Sequence, residues 1–395
     1  MTRFDPAAPV LCAGRRTAIG TAGHALAGID VIGLTAPVLA AVAGTAAALD
    51  RPIDDVVLGN CMGPGGDIAR VAALAAGLGE TVPGVTVDRQ CGSGLDAVLQ
   101  AAARVRSGDA GLVLAGGAES ASTAPWRFWP GAPGRDPVRY TRAPFTPALD
   151  PDPDMGVAAD QLAAKLGIDR VEQDRYAARS HRLTHAAAAA GRYAAEIVPL
   201  PELSVDQRPR AGLDERRLAR LRPAFGTDGT VTAGNSCGVS DGAAALAVTT
   251  AGAARAAGLP YLRVLGSAVA ASRPDLPGMA PGPAVRRLLD RTGVGLAEIG
   301  AVEITEAFAS VVLAVVDELG LDQERVCAEG GAIGLGHPWG ASGTILLLRL
   351  MSRLLVAGSP AGTGAGGAPP AGLGLAACAI GGGQGLAMLL AHPEA

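Results

Sequence analysis

Cysteine and histidine carry most of the nucleophilic capacity of this sequence, and three segments place them where chemistry is possible. Cys91 lies in Val87-Asp88-Arg89-Gln90-Cys91-Gly92-Ser93-Gly94, between a run that reads as a strand and one that reads as a helix. At a helix N-terminus, unpaired amides and the macrodipole favour a thiolate. The flanking glycines leave room for a substrate, although a buried structural thiol at a tight turn fits the same residues. His337 lies in Gly334-Leu335-Gly336-His337-Pro338-Trp339-Gly340-Ala341-Ser342-Gly343. A glycine-rich turn is a poor place for a polar ring unless the ring faces a site. Within hydrogen-bond reach, such a ring takes the proton of a cysteine; a loop histidine bonded to nearby backbone is the plainer reading. The third segment is Cys378-Ala379-Ile380-Gly381-Gly382-Gly383-Gln384-Gly385. A glycine run after a strand offers amides to an oxyanion, or is only a turn between closing strands.

Other chemistries find less support. The six cysteines, at 12, 61, 91, 237, 327 and 378, include no C-x-x-C pair and read as free thiols of a reducing compartment. His181 and His185 are four apart on a predicted helix, but no third ligand accompanies them, so no metal is expected. Gly234-Asn235-Ser236-Cys237-Gly238 matches G-x-S-x-G by letter, yet a serine-hydrolase elbow needs a strand before it and a helix after it. The net charge of −4, with no basic block, argues against nucleic acid and anionic membrane surfaces. No run of eighteen uninterrupted apolar residues predicts a membrane span, and the N-terminus lacks the apolar core of a secretory signal. The expected location is the cytoplasm.

The elements that must position these residues alternate. Helices are predicted over Ile29–Leu49, Ala69–Leu78 and about Gly92–Arg106, with strands at Asp54–Gly59, Val85–Val87 and Gly111–Ala115. The last third repeats the plan: helices over Pro283–Thr292, Ala307–Leu319 and Ser342–Leu355, and strands at Ala301–Thr305, Leu373–Ile380 and Leu386–Ala391. Such alternation predicts a wound α/β sheet. Cys91-Gly-Ser-Gly and Gly340-Ala-Ser-Gly, each before a long helix, suggest an internal duplication. Between the halves, an irregular loop over Trp126–Pro153 and a helical run over about Val157–Gly191 read as an insertion covering the active face. The organisation expected is an N-terminal half (1–121, completed by about 250–272), an inserted loop domain (122–249) and a C-terminal half (273–395). The stretch 357–372 reads as a surface loop without chemistry.

Taken together, the motifs resemble those of thiolases. Gln-Cys-Gly-Ser-Gly (90–94), Gly-Asn-Ser-Cys-Gly-Val-Ser-Asp-Gly-Ala (234–243), Glu-Ala-Phe-Ala (306–309), Gly-His-Pro-Trp-Gly-Ala-Ser-Gly (336–343) and Gly-Gly-Gly-Gln-Gly (381–385) follow that family's order and spacing across nearly the whole chain. The resemblance implies a duplicated, five-layered α-β-α-β-α body with an inserted loop domain, assembled as a homodimer or homotetramer. It implies acyl transfer through acyl-Cys91, making or breaking a carbon–carbon bond in a 3-ketoacyl-CoA. His337 would activate Cys91, and the amides of Cys91 and Gly381 would hold an oxyanion. Thr305 and Glu306 would support the site, and a second cysteine would move the α-proton. Coenzyme A thioesters, or an acyl thioester on a carrier protein, would be substrates, with no resident cofactor. CoA would lie near Met155, Arg222, Ser236, Cys237 and Gly238.

Three positions depart from the family. Thr305 replaces the usual Asn before Glu-Ala-Phe-Ala, and Cys237 replaces a CoA-side Ser. In the family one residue separates the second cysteine from the Gly-Gly-Gly run, whereas two, Ala379 and Ile380, separate Cys378 from it, so the ungapped partner is Ala379. One step along a strand turns a side chain to the opposite face; a bulge beside the glycines would return Cys378 to the site. If Cys378 is displaced, acylation of Cys91 can survive while α-proton transfer fails. A specialised acyltransferase, a decarboxylative condensing enzyme or a non-catalytic acyl-CoA-binding scaffold are the alternatives.

Overall fold

The computed structural model describes residues 4–355 and 372–395. Nine strands form the body of one sheet: β1 (Pro9–Thr17), β2 (Asp55–Gly59), β3 (Gly84–Val87), β4 (Leu112–Ser120), β5 (Ser240–Thr250), β6 (Tyr261–Ala271), β7 (Ala301–Ile304), β8 (Leu373–Ile380) and β9 (Gln384–Ala391). Their spatial order is β7-β8-β9-β6-β1-β5-β4-β2-β3. β1 and β6 pair antiparallel at the join. Outward from the join, each half runs antiparallel twice and then parallel, through β5, β4 and β2 on one side and β9, β8 and β7 on the other. Even the outermost strand has a counterpart, since Val302 and Val326 form a single parallel bridge where β2 pairs β3. The duplication suggested by the paired small-residue turns is thus visible in strand order and direction.

Helices α1 (Val31–Ala46) and α2 (Ile68–Ala75) cover one face of the first half. α6 (Pro281–Thr292) and α7 (Ala309–Leu319) cover the second half. Between the two sheet halves lie α3 (Ser93–Ser107) and α8 (Trp339–Leu355). Their apolar residues share one core with Val57, Val113 and Leu246 from one side and Ala376, Ile380 and Met388 from the other. Five layers result, and packing between the two sheet halves explains why α8 has thirteen buried residues. By length and apolar composition alone, Val31–Leu49 would cross a membrane. In the fold it is a core helix, with Leu34, Val38, Leu39 and Val42 fully buried against the sheet.

The elements differ from the expectation in four places. Ser240–Thr250 is a central strand of the N-terminal half, so the insertion closes near Val239 rather than at 249. Tyr261–Ala271 opens the C-terminal half, ahead of residue 273. The helical run over 157–191 is two helices, α4 (Met155–Leu166) and α5 (Arg170–Ala189). Gly167, at φ +69°, ends the first, and the Asp169–Glu172 capping box starts the second. The loop over 126–153 contains a short hairpin, in which Arg127–Trp129 pairs with Val138–Tyr140. The 357–372 loop lies, except for Gly372, outside the described residues.

Candidate active site

The two middle helices bring the Cys91 and His337 segments together. Gly94 on α3 and Gly343 on α8 face each other. A Cβ on Gly94 would stand 2.5 Å from the Gly340 carbonyl oxygen and 2.7 Å from Thr344 Oγ1, and one on Gly343 would strike the Leu95 backbone. Glycine at both positions lets the helices approach to backbone contact, so their N-termini open side by side.

Each N-terminus holds its reactive group through a serine. Ser93 Oγ accepts from the Arg89 amide at 2.8 Å and donates to the Gln90 carbonyl at 2.6 Å. That clamp keeps Gln90 at φ +47°, an uncommon left-handed conformation for a residue other than glycine, directly before Cys91. In α8, Ser342 Oγ lies 2.6 Å from His337 Nδ1. The His337 amide donates to the Gly238 carbonyl at 3.0 Å, and Nε2 is buried without a partner among the described residues.

Cys91 and His337 line one cavity of about 350 Å³. Ala379 lines it from the end of β8, Gly381 from the β8–β9 turn, Met155 from the start of α4, and Ser236 and Cys237 from the loop before β5. Burial pushes the Cys91 thiol well above its ordinary value, and negative charge at Cys378, Cys237 or Glu119 would push it further; its own amide opposes this. Desolvation thus favours a resting thiol over the thiolate that a helix terminus would favour. Burial also lowers His337 to about 4, so the imidazole is neutral near pH 7. A protonated thiol and a bare imidazole nitrogen thus line the same cavity.

The rest of the expected set divides. Cys378 is fully buried but does not line the cavity: its Sγ lies 3.0 Å from Thr305 Oγ1, and burial raises it to about 11. β8 pairs β9 without a bulge from Leu373 to Ile380, so Cys378 shares the core face of Ala376 and Ile380; at the strand end both Ala379 and Ile380 reach the cavity, and Cys378 does not. Thr305 is consumed by this contact and does not line the cavity either. Glu306 is buried elsewhere, accepting from Tyr176 Oη (2.7 Å), Ser180 Oγ (2.6 Å) and the Ile333 amide (3.1 Å), and so ties α5 to the loop that carries His337. Gly238 sits behind the cavity, where a Cβ would strike the Arg208 guanidinium. Arg222 is exposed and outside the cavity lining. The residues 234–238 lead into strand β5, not a helix, and Ser236 Oγ donates to the Thr232 carbonyl at 2.6 Å, so the hydrolase-elbow match is accidental. His181 is buried, with Nε2 2.9 Å from the Gly234 carbonyl oxygen.

Two residues that sequence reasoning missed assemble the site. Glu119, at the carboxyl end of β4, is fully buried and accepts from Asn60 Nδ2 (3.0 Å) and from the amides of Cys61 (3.2 Å), Met62 (3.0 Å) and Gly340 (3.1 Å). It thereby joins the loop beside Ser93 to the start of α8. Arg89 Nη1 donates to Gln384 Oε1 at 3.1 Å, joining the Cys91 turn to the glycine run. The available signal for Glu119 was an acidic residue at the end of a buried parallel strand, where wound sheets place their sites.

Comparison with known proteins shows the family. Residues 10–252 match the family model "Thiolase, N-terminal domain", and residues 259–392 match "Thiolase, C-terminal domain". The chain belongs to the thiolase family. It is 40% identical to an acetyl-CoA acetyltransferase of Pseudomonas aeruginosa, over 97% of this chain and 99% of that one. It is 38% identical to a beta-ketoadipyl-CoA thiolase of Pseudomonas putida, over 96% of this chain and 98% of that one. A crystal structure of Bacillus anthracis acetyl-CoA acetyltransferase superposes with a TM-score of 0.84 at 35% identity, covering 97% of this chain and 98% of the other. As a thiolase-family protein the chain is an acyl-CoA C-acyltransferase, and the fold expectation of a duplicated α/β body holds.

Proposed function

We propose that this thiolase-family enzyme cleaves or forms a short-chain 3-ketoacyl-CoA through an acyl thioester on Cys91. The observation that carries the reading is the partnerless, buried Nε2 of neutral His337 in the cavity that also holds the Cys91 thiol. In the cleavage direction Cys91 Sγ attacks the 3-keto carbon while its proton passes to His337 Nε2. The amides of Cys91 and Gly381 receive the developing oxyanion. The carbon–carbon bond breaks, the α-carbon of the departing acetyl-CoA takes the proton held on His337 Nε2, and CoA then takes the acyl group from sulfur as its thiol proton returns to Cys91 through His337. The apolar wall of Ala158, Phe225, Phe308 and Pro277 suits a short acyl chain and the pantetheine end of CoA. Relatives named acetyl-CoA acetyltransferase support the same chain length. Location in the cytoplasm and a homodimeric or homotetrameric assembly are part of this reading.

Loss of acetoacetyl-CoA absorbance in the presence of free CoA tests it, with Cys91→Ala as control. Turnover abolished by the substitution supports the reading; equal turnover in the variant sinks it. A second reading rests on Ala379, which puts a methyl group where the family carries its second thiol. Cys91 would then pass its acyl group to an acceptor needing no α-proton removal, such as a carbanion released by decarboxylation. Folded protein that forms acyl-Cys91 but does not cleave acetoacetyl-CoA would favour this second course.

A further inference from the structure

A second large cavity, about 710 Å³, lies apart from the catalytic one, on the outer face of α5. Arg175, Arg179, Arg182 and His185 recur there at helical spacing, and Arg210 and Arg216 face them from the chain leading into the short helix Glu215–Leu218. Arg179 is engaged, its Nη1 donating to the Val326 carbonyl at 3.0 Å and its Nε lying 3.4 Å from Glu324 Oε1. Among the described residues, the side chains of Arg175, Arg182, Arg210 and Arg216 make no hydrogen bond or ion pair. Three carboxylates share the groove, but Glu324 faces Arg179 and Asp214 accepts from the Arg217 amide at 2.9 Å, leaving Glu215. Guanidinium groups that line one groove repel one another, and a multiply charged anion relieves that repulsion. Their planar forks fit phosphate oxygens in pairs.

The same helix reaches the catalytic loop from its other face. Tyr176 and Ser180 donate to Glu306, which holds the Ile333 amide. Thr184 packs against Gly330 and Gly334, three residues before His337. An anion that orders the outer arginines therefore acts on a helix that positions the His337 loop.

We propose that this groove binds a ligand carrying at least two phosphates, of the nucleoside-diphosphate kind. Two sources share that chemistry: the nucleotide end of the CoA substrate, which rests on the function proposed above, and a free nucleotide acting as an effector.

Binding decides the site. ADP and pyrophosphate would be titrated by calorimetry into the full chain with Cys91 alkylated, so that the catalytic cavity is closed and no turnover is required. Binding should weaken about tenfold or more in an Arg182→Glu, Arg210→Glu double variant. It should persist in Arg220→Glu, an exposed arginine outside the groove. Both altered groove residues are exposed, and melting curves would verify the fold. No binding, or binding equal in the double variant, overturns the proposal. Steady-state kinetics then separate the sources. A raised KM for acetoacetyl-CoA with an unchanged KM for its N-acetylcysteamine analogue, which lacks phosphate, assigns the groove to the substrate's own nucleotide. ADP that alters turnover of the analogue in the wild type but not in the double variant assigns it to an effector.

Discussion

Burial acts on Cys91 and His337 in opposite senses, raising the thiol and lowering the imidazole, so both are neutral at rest. Because His337 titrates at about 4, kcat/KM for thioester cleavage should show no loss at pH 6.5, where an ordinary histidine is half protonated, and should fall only as pH approaches 4. A fall centred near pH 6.5 in the pH–rate profile would refute the buried-base reading. The same group sets a stability window. Its folded pKa lies below its unfolded one, so the unfolded chain binds the extra proton between them. Stability should hold above pH 6.5 and decline towards pH 4, by at most about 1.4 kcal/mol per pH unit, and His337→Gln should remove that part of the slope in urea melts. Ala379 supports a second test. Ala379→Cys returns a thiol to the cavity and should raise acetoacetyl-CoA cleavage about tenfold or more, whereas Cys378→Ala should change it only a few-fold. Cys91 and His337 were legible because glycine-rich turns before helices restrict what those residues can do. The two faces of β8 were not, because Leu373–Ile380 is buried almost throughout and carries no polar alternation to fix its register.

At the scale of elements, the site depends on how closely α3 and α8 approach. Gly343→Ala should cost about 1–3 kcal/mol in chemical denaturation by overpacking. Since the added methyl meets the Leu95 backbone, one turn along α3 from Cys91, it should lower kcat more than it raises KM. Unchanged kcat in a folded variant would show that the helices have slack. The elements that sequence reading missed are β1, β5 and β6. Ser240–Thr250 reads Ser-Asp-Gly-Ala-Ala-Ala-Leu-Ala-Val-Thr-Thr, whose alanines favour helix. It is a strand because β1 and β4 flank it on both edges and the sheet needs small side chains there; a Cβ on Gly116 of β4 would strike the Ala244 carbonyl. Tertiary pairing overrides local propensity at this position.

The whole molecule is tied by buried charge as well as by its cores. Arg349 on α8 pairs with both Glu196 and Glu329, and Glu196 also accepts from Arg16 Nε of β1 at 2.9 Å. Arg16 further pairs with Asp206, so the insertion is fastened to both halves. Arg349→Met takes the close partner from buried Glu329, while Glu196 keeps Arg16, and should destabilise the chain by about 3 kcal/mol in urea unfolding; a loss under 1 kcal/mol would mean that water reaches the network. None of this network was legible, because its members lie far apart in sequence and each alone resembles an ordinary surface charge. The duplication was legible in outline, and its Ser-Gly steps have a consequence for descent. Ser93-Gly94 and Ser342-Gly343 occupy equivalent places, yet one serine clamps the turn of a thiol and the other steadies an imidazole. A self-paired ancestral half would have presented the same residue twice across the crevice. Fusion into one chain released each copy to change alone, and the division between nucleophile and base is what that freedom made heritable.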